Sequence, residues 1–196
     1  MSSFLLSALA IGYLLGSIPF GLVLTRLFGK GDIREIGSGN IGATNVLRTG
    51  SKGLAAATLI LDALKGTAAV LIAQRYFPAH EVAAAGAAMI GHLYPLWLKF
   101  RGGKGVATYL GVLIPLFPAG AAIYAAMWIG FLLVLRFSSL AGMAAAISAP
   151  LFAWTQQRSD LLPLLTALTL LVLWKHRENI ARLRAGSEPR VGRSKA

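Results

Sequence analysis

Cysteine is absent from the 196 residues, which excludes disulfides, thiolate nucleophiles and thiolate metal ligands and leaves the redox compartment open. Acidic residues are few: seven, against 19 lysines and arginines. The only aspartates are Asp32, Asp62 and Asp160, too sparse for the oxygen cage a magnesium ion requires. No carboxylate pair stands ready for glycoside chemistry either. His80, His92 and His176 lie far apart in the chain, so no metal site is expected. Charge of either sign is scarce, at 13% of residues, where a soluble domain carries about 25%.

Apolar residues fill the gap, with 56% of the chain and a mean hydropathy of +0.67. That composition predicts an all-α integral membrane protein, a single domain over residues 1–196 whose helices pack in lipid. The candidate spans lie near 4–27, 53–74, 81–98, 106–118, 119–135, 139–156 and 161–175. Val106 to Leu135 is read as two helices, because Pro115 and Pro118 each remove a backbone donor and crowd the preceding turn. Charge then sets the topology. With seven transmembrane helices and the N-terminus outside, one face receives every lysine and arginine except Lys65, Arg75 and Arg158. Positive-inside bias makes that face, and the C-terminus, cytoplasmic. Six spans would send the basic tail to the opposite side and split the bias.

Smaller signals agree. Trp97 and Trp174 fall at cytoplasmic span ends and Trp154 near an outer one, where indoles collect. The opening M-S-S-F-L-L lacks the basic n-region of a cleaved signal peptide. Alanine, glycine and serine within the spans let helices approach closely, and no internal repeat marks the duplicated halves of a transporter. The tail 187–196 is basic and expected to be loosely ordered. A formal charge of +12, spread over every cytoplasmic loop, reads as topology plus attraction to anionic lipid or substrate, with no nucleic-acid partner.

Three polar clusters interrupt the apolar chain, all on the cytoplasmic face of the seven-span topology. In G-S-G-N-I-G-A-T-N-V-L-R (37–48), Gly37, Gly39 and Gly42 match a dinucleotide fingerprint in spacing but have no βαβ context. What remains is an anion nest of backbone N–H groups at Gly39 and Gly42. Ser38, Asn40, Thr44 and Asn45 surround it with neutral hydrogen-bonding groups, and Arg48 adds a fork suited to phosphate. In F-R-G-G-K-G-V-A-T (100–108), Gly102, Gly103 and Gly105 flank Lys104 at a helix start. The Walker spacing fails, so ATP is not implied. Free N–H groups, a helix dipole and an ammonium still make a phosphate seat. H-R-E-N-I-A-R-L (176–183) places His176 and Asn179 on one face if the last helix continues through them. Glu178 stands three residues from Lys175 and four from Arg182, and a structural ion pair is its plain reading. Asp62 and Lys65, deep in the second span, can pair at i, i+3, serving either structure or the site. His92 reads as an interhelical histidine. These groups together suit an enzyme joining a water-soluble phosphate to a lipid, or else a transporter of small phosphorylated anions.

The three motifs, with G-H-x-Y-P before the second, D-A-L-K-G at Asp62 to Gly66, and G-S-E closing the third, resemble the bacterial acyl-phosphate:glycerol-3-phosphate acyltransferases, the PlsY family. Ile41, Arg101 and Lys175 depart from the common pattern without removing a functional group. The resemblance implies a seven-helix enzyme of the bacterial cytoplasmic membrane with its active site on the cytoplasmic side. Its reaction would move a fatty acyl group from acyl phosphate to the 1-hydroxyl of sn-glycerol 3-phosphate, giving lysophosphatidic acid and phosphate without cofactor or metal. Absence of a His-x4-Asp motif fits a donor other than a thioester. The resemblance makes Ser38, Arg48, Lys104, His176 and Asn179 catalytic. It places Gly102, Gly103 and Gly105 in a phosphate-binding loop with Lys104 and makes Glu178 mainly structural; beside it, Thr108 is read as a further phosphate ligand and Asp62 and Lys65 as structural support. The partners it implies are the two substrates, membrane lipid and an enzyme supplying acyl phosphate. A CDP-alcohol phosphotransferase would need a cluster of aspartates that this chain does not have.

Overall fold

The computed structural model describes residues 3–192; Arg193 and Lys195 of the expected basic tail lie outside them. Among the described residues the secondary structure is helical, without strands. The described chain forms two compact units, one running to Leu116 and the other starting at Phe117.

The first unit holds α1 (Ser3–Gly16), α2 (Phe20–Leu27), the one-turn α3 (Ala43–Val46), α4 (Lys52–Tyr76), α5 (Glu81–Leu93) and α6 (Val106–Leu116). The stretch expected as one helix over 4–27 is two, because Pro19 cannot donate to the preceding turn. Lys65 of α4 reaches this break. Its Nζ donates to the Ile18 carbonyl oxygen at 2.7 Å and to Asp62 Oδ1 at 2.7 Å. Both side chains are almost fully buried. The charged pair thus supplies a donor to a carbonyl at the interruption. α4 itself starts where Gly50 turns the chain at φ +84° and the Ser51 hydroxyl accepts from Leu54 N–H.

α5 ends at Leu93, short of the expected 98, since Tyr94 precedes Pro95 and is pushed out of helical geometry. Residues Leu96–Leu98 form a separate 3₁₀ turn. Small residues set the packing. A methyl added at Gly12 or Gly16 of α1 would strike the carbonyl oxygens of Ala84 or Ala88 in α5. One at Gly111 of α6 would strike that of Ala63 in α4. The backbones therefore approach as the alanine- and glycine-rich spans predict. Tyr13 ties α1 to the end of α5, donating to the Tyr94 carbonyl (2.9 Å) and accepting from Leu96 N–H (3.0 Å).

The second unit holds α7 (Pro118–Leu135), α8 (Ser138–Thr155), α9 (Leu162–Lys175) and α10 (Arg177–Arg184). α6 stops at Leu116 and α7 starts at Pro118, at a first-turn position that needs no N–H. The predicted break is therefore present, although Pro115 is tolerated inside the last turn of α6. α7 packs on α8 and α8 on α9, with Phe117 stacked on Phe152 at 5.5 Å.

Among the described residues, four stretches are long and apolar enough to cross a bilayer: Ser3–Leu27, Lys52–Tyr76, Pro118–Leu135 and Ser138–Thr155. Val106–Leu116 and Leu162–Lys175 are shorter apolar helices. α5, with 13 residues, rises roughly 20 Å at about 1.5 Å per residue, short of the roughly 30 Å hydrocarbon core. The all-helical membrane class is present, while seven full-length helices are not.

Candidate functional site

The first motif lies in the segment between α2 and α4. Asp32 organises its beginning, accepting from the backbone N–H of Arg34 at 3.0 Å and from the side chains of Arg34 and Arg26. The hydrogen bond from Arg34 holds the Asp32 carboxyl well below the usual carboxylate range; partial burial opposes this and Arg26 adds to it. A buried cluster of Leu22, Ile33, Ile41, Val46 and Ala55 anchors the segment to α2 and α4. Asn45 is buried at its centre. Its Nδ2 donates to the carbonyls of Ile33 (2.9 Å), Ile36 (2.9 Å) and Asn40 (2.8 Å). Its Oδ1 accepts from Ser38 N–H at 3.2 Å, from Ser38 Oγ at 3.5 Å and from Arg48 Nη1 at 3.2 Å. Ser38, Thr44 and Arg48 are exposed, and Asn40 Oδ1 accepts from Gly42 N–H at 2.9 Å. An exposed hydroxyl and an exposed guanidinium are thus pinned to one oxygen.

The second motif follows the α5 end. Gly103 N–H donates to the His92 carbonyl (3.0 Å) and Gly102 N–H to that of Leu93 (3.2 Å). This corrects the expectation of free N–H groups at these two glycines: both satisfy carbonyls at the α5 terminus, where helices leave acceptors unpaired. The glycines are needed because a methyl at Gly102 would strike the His92 carbonyl and one at Gly103 the His92 ring. Lys104 stands half-buried between them and Gly105, which turns at φ +86° into the start of α6. Thr108 is fully buried in α6, and its Oγ1 has no hydrogen-bond partner. Leu98, in the 3₁₀ turn before the motif, packs on the Ile33–Ile41–Val46 cluster, so the first two motifs share one apolar base. His92 Nδ1 lies 3.8 Å from Asp62 Oδ1, which carries the charged pair of α4 up to the histidine beneath Gly103.

The third motif lies in the second unit. The helix does not run on through it: α9 ends at Lys175, His176 sits at the junction, and α10 begins at Arg177. His176 and Asn179 are both buried all the same. His176 Nδ1 is 2.8 Å from the Val172 carbonyl oxygen. Asn179 Nδ2 donates to Glu188 Oε1 (2.6 Å), which also accepts from Ser139 Oγ (2.6 Å). Arg182 donates to Glu188 Oε2 at 2.7 Å, so one of the two cations weighed for Glu178 is taken by a different acid; Glu178 is exposed, and its charge still acts on the other, Lys175. Burial pushes the Glu188 carboxyl up, yet the hydrogen bonds from Ser139, Asn179 and Arg182 outweigh it and hold the group below its ordinary value.

Sequence reasoning passed over Glu188, although it is the single acid in a basic tail and closes the G-S-E run. It also gave Asn45 only a ligand's role. Among the described residues no group of three or more His, Asp or Glu side chains is gathered to hold a metal ion.

The profile of the glycerol-3-phosphate acyltransferase family matches residues 6–186. A relative of that name from Rhodopseudomonas palustris strain HaA2 is 56% identical over 191 residues, covering 97% of each chain. One from Brucella anthropi is 56% identical over 192 residues, covering 98% of this chain and 96% of its own. Among solved structures, the crystal structure of PlsY (YgiH), an integral membrane glycerol 3-phosphate acyltransferase, in its glycerol 3-phosphate form superposes with a TM-score of 0.90 at 41% identity, covering 96% of both chains. The lysophosphatidic acid form superposes at 0.88 and 40%, covering 96% of this chain and 95% of that one.

Proposed function

The chain belongs to the glycerol-3-phosphate acyltransferase family and acylates glycerol 3-phosphate; we propose that the donor is acyl phosphate and that the reaction proceeds without metal or cofactor. The oxygen of the glycerol 1-hydroxyl attacks the acyl carbonyl carbon, the carbon–oxygen bond to phosphate breaks, and lysophosphatidic acid and inorganic phosphate result. The donor is a mixed anhydride with a good leaving group, so no covalent protein intermediate is required. That matches a chain without cysteine in which the Ser38 hydroxyl, beside the guanidinium, donates to the Asn45 amide oxygen.

The pairing of Ser38 and Arg48 on Asn45 Oδ1 is the observation that carries this reading. It sets an exposed hydroxyl beside a fixed, permanently charged fork, a combination that receives a phosphate oxygen bidentately. Arg48 and Lys104 then balance the charge that builds on the departing phosphate. The phosphate ligands we assign beside them are Asn40, Thr44, Gly105 and Thr108; Gly39 and Gly42, expected to form an anion nest, donate their N–H groups to the Ile36 carbonyl (3.0 Å) and to Asn40 Oδ1 (2.9 Å) and shape the turn instead. Gly102 and Gly103 shape the loop. In the second unit, we assign His176 the hydroxyl proton and Asn179 a polar contact to substrate. Asp62, Lys65 and Glu178 support structure.

The topology we propose has seven crossings, the shorter helices included, with the N-terminus outside and the C-terminus cytoplasmic. The enzyme would sit in the bacterial cytoplasmic membrane with its polar loops on the cytoplasmic side, near the enzyme that supplies acyl phosphate. The profile's reach over 6–186 supports one acyltransferase domain.

Purified protein in a lipidic medium, given palmitoyl phosphate and glycerol 3-phosphate with EDTA present, should release phosphate only when both substrates are there and should form lysophosphatidic acid. Turnover that stops with EDTA would reject the metal-free route. Turnover with a thioester donor but none with acyl phosphate would reject the donor.

A further inference from the structure

Asn45 was expected to touch phosphate, but its amide is already spent. One edge faces three carbonyls, those of Ile33, Ile36 and Asn40 at 2.8–2.9 Å, and the other faces three donors from Ser38 and Arg48 at 3.2–3.5 Å. This pattern fixes the amide's orientation, since a flip would aim its oxygen at three carbonyl oxygens. The side chain is 3% exposed, so its contacts are made out of water, where an unmet polar group costs most. Gly37 closes the arrangement. It turns at φ +59°, and a methyl there would come within 2.6 Å of Asn45 Oδ1 and 2.7 Å of Arg48 Cδ. The arginine therefore lies flat along the turn that presents Ser38.

We propose that Asn45 is a positioning residue: its amide closes the loop from Ile33 to Asn40 and, through one oxygen, holds the Ser38 hydroxyl and the Arg48 guanidinium at the mutual spacing acyl transfer uses. This rests on the reading of Ser38 and Arg48 as groups that meet substrate. Only an amide can do it at this position. Aspartate keeps the acceptor but turns the donating edge into a second acceptor aimed at three carbonyls. Leucine fills the space and satisfies neither edge.

The test measures kcat and KM for both substrates, together with the thermal midpoint, on the full-length protein in lipidic medium. The variants are Asn45→Ala, Arg48→Lys and the two combined. A misplacement of about 1 Å costs about 10²-fold in rate, so Asn45→Ala should lower kcat by about that factor with each KM changed only a few-fold. In the Arg48→Lys background the further loss should fall below about tenfold, because coupled residues are non-additive. The proposal is overturned by kcat within a few-fold of wild type, by a loss confined to KM, or by an undiminished loss in the Arg48→Lys background. If Asn45→Ala yields no folded protein, Asn45→Asp, equal in size, replaces it with the same expectation. If neither folds, Asn45 is structural only and the proposal fails. Full activity of Arg48→Lys would instead sink the reading of Arg48, whatever Asn45 does.

Discussion

At His176 the backbone sets the tautomer. Nδ1 stands 2.8 Å from the Val172 carbonyl oxygen, which can only accept, so the neutral ring carries its proton on Nδ1 and presents Nε2 as the basic nitrogen. That is the form a general base requires. His176→Gln should lower kcat by about 10²–10⁴, and a change confined to KM would reject the role. Glu188 calls for a pH measurement. Its folded-state affinity for protons is reduced by three hydrogen bonds, so it contributes stability above its unfolded value near about pH 4.3. That contribution is lost as pH falls through the lower folded value. Between about pH 5 and 3 the wild-type thermal midpoint should therefore fall more steeply than that of Glu188→Gln, measured in the same detergent; parallel curves would show that the carboxylate is not the linked group. The sequence showed that both Asn45 and Asn179 belong to motifs, but not that each is fixed by an amide network. Spacing reveals which residues share a loop, whereas the turns at Gly37 and Gly39 decide which of them face one another.

Among elements, the prolines could be read directly and the helix lengths could not. Pro118 gave the break before α7, yet Pro19 and Pro95 cut the first and third stretches where hydropathy ran on without interruption. Hydropathy reports the solvent a residue tolerates, and local backbone chemistry decides where the helix stops. The buried pair in α4 supports the first of these interruptions, through the Ile18 carbonyl. Lys65→Met would leave Asp62 almost fully buried beside His92 without its cation and would remove the donor to the Ile18 carbonyl. Breaking a buried pair from one side costs about 3–5 kcal/mol. The thermal midpoint should drop markedly, and the double variant Asp62→Leu with Lys65→Met should recover part of the loss, because no charge is then left unpaired. A double variant no more stable than Lys65→Met would assign the cost to the lost Ile18 contact instead. Gly16→Leu should be worse tolerated than Gly53→Leu, since Gly16 abuts the Ala88 carbonyl whereas nothing lies within 4 Å of Gly53. Comparing the yields of folded protein checks this.

For the whole molecule, the distribution of 19 basic residues argues for a topology that the helix lengths alone do not set. A basic segment left on the outer side opposes the positive-inside bias, and the tail from Lys175 onward is the most basic stretch of the chain. Seven crossings keep that tail on the same side as Arg34 and Lys104; six would export it. The absence of native cysteine lets a single introduced thiol report its own side. Glu35→Cys and Ser187→Cys, both at exposed positions, should react with a membrane-impermeant maleimide only after cells are permeabilised. Ala79→Cys and Ser159→Cys, also exposed, should react in intact spheroplasts. Ser187→Cys labelled from outside while Glu35→Cys stays protected would mean an even number of crossings. One of the short helices α5, α6 or α9 would then be re-entrant rather than spanning. Labelling of Ala79→Cys and Ser159→Cys alone would leave each short helix carried across by its flanking residues. Local bilayer thinning accommodates such a mismatch at fractions of a kcal/mol per Å.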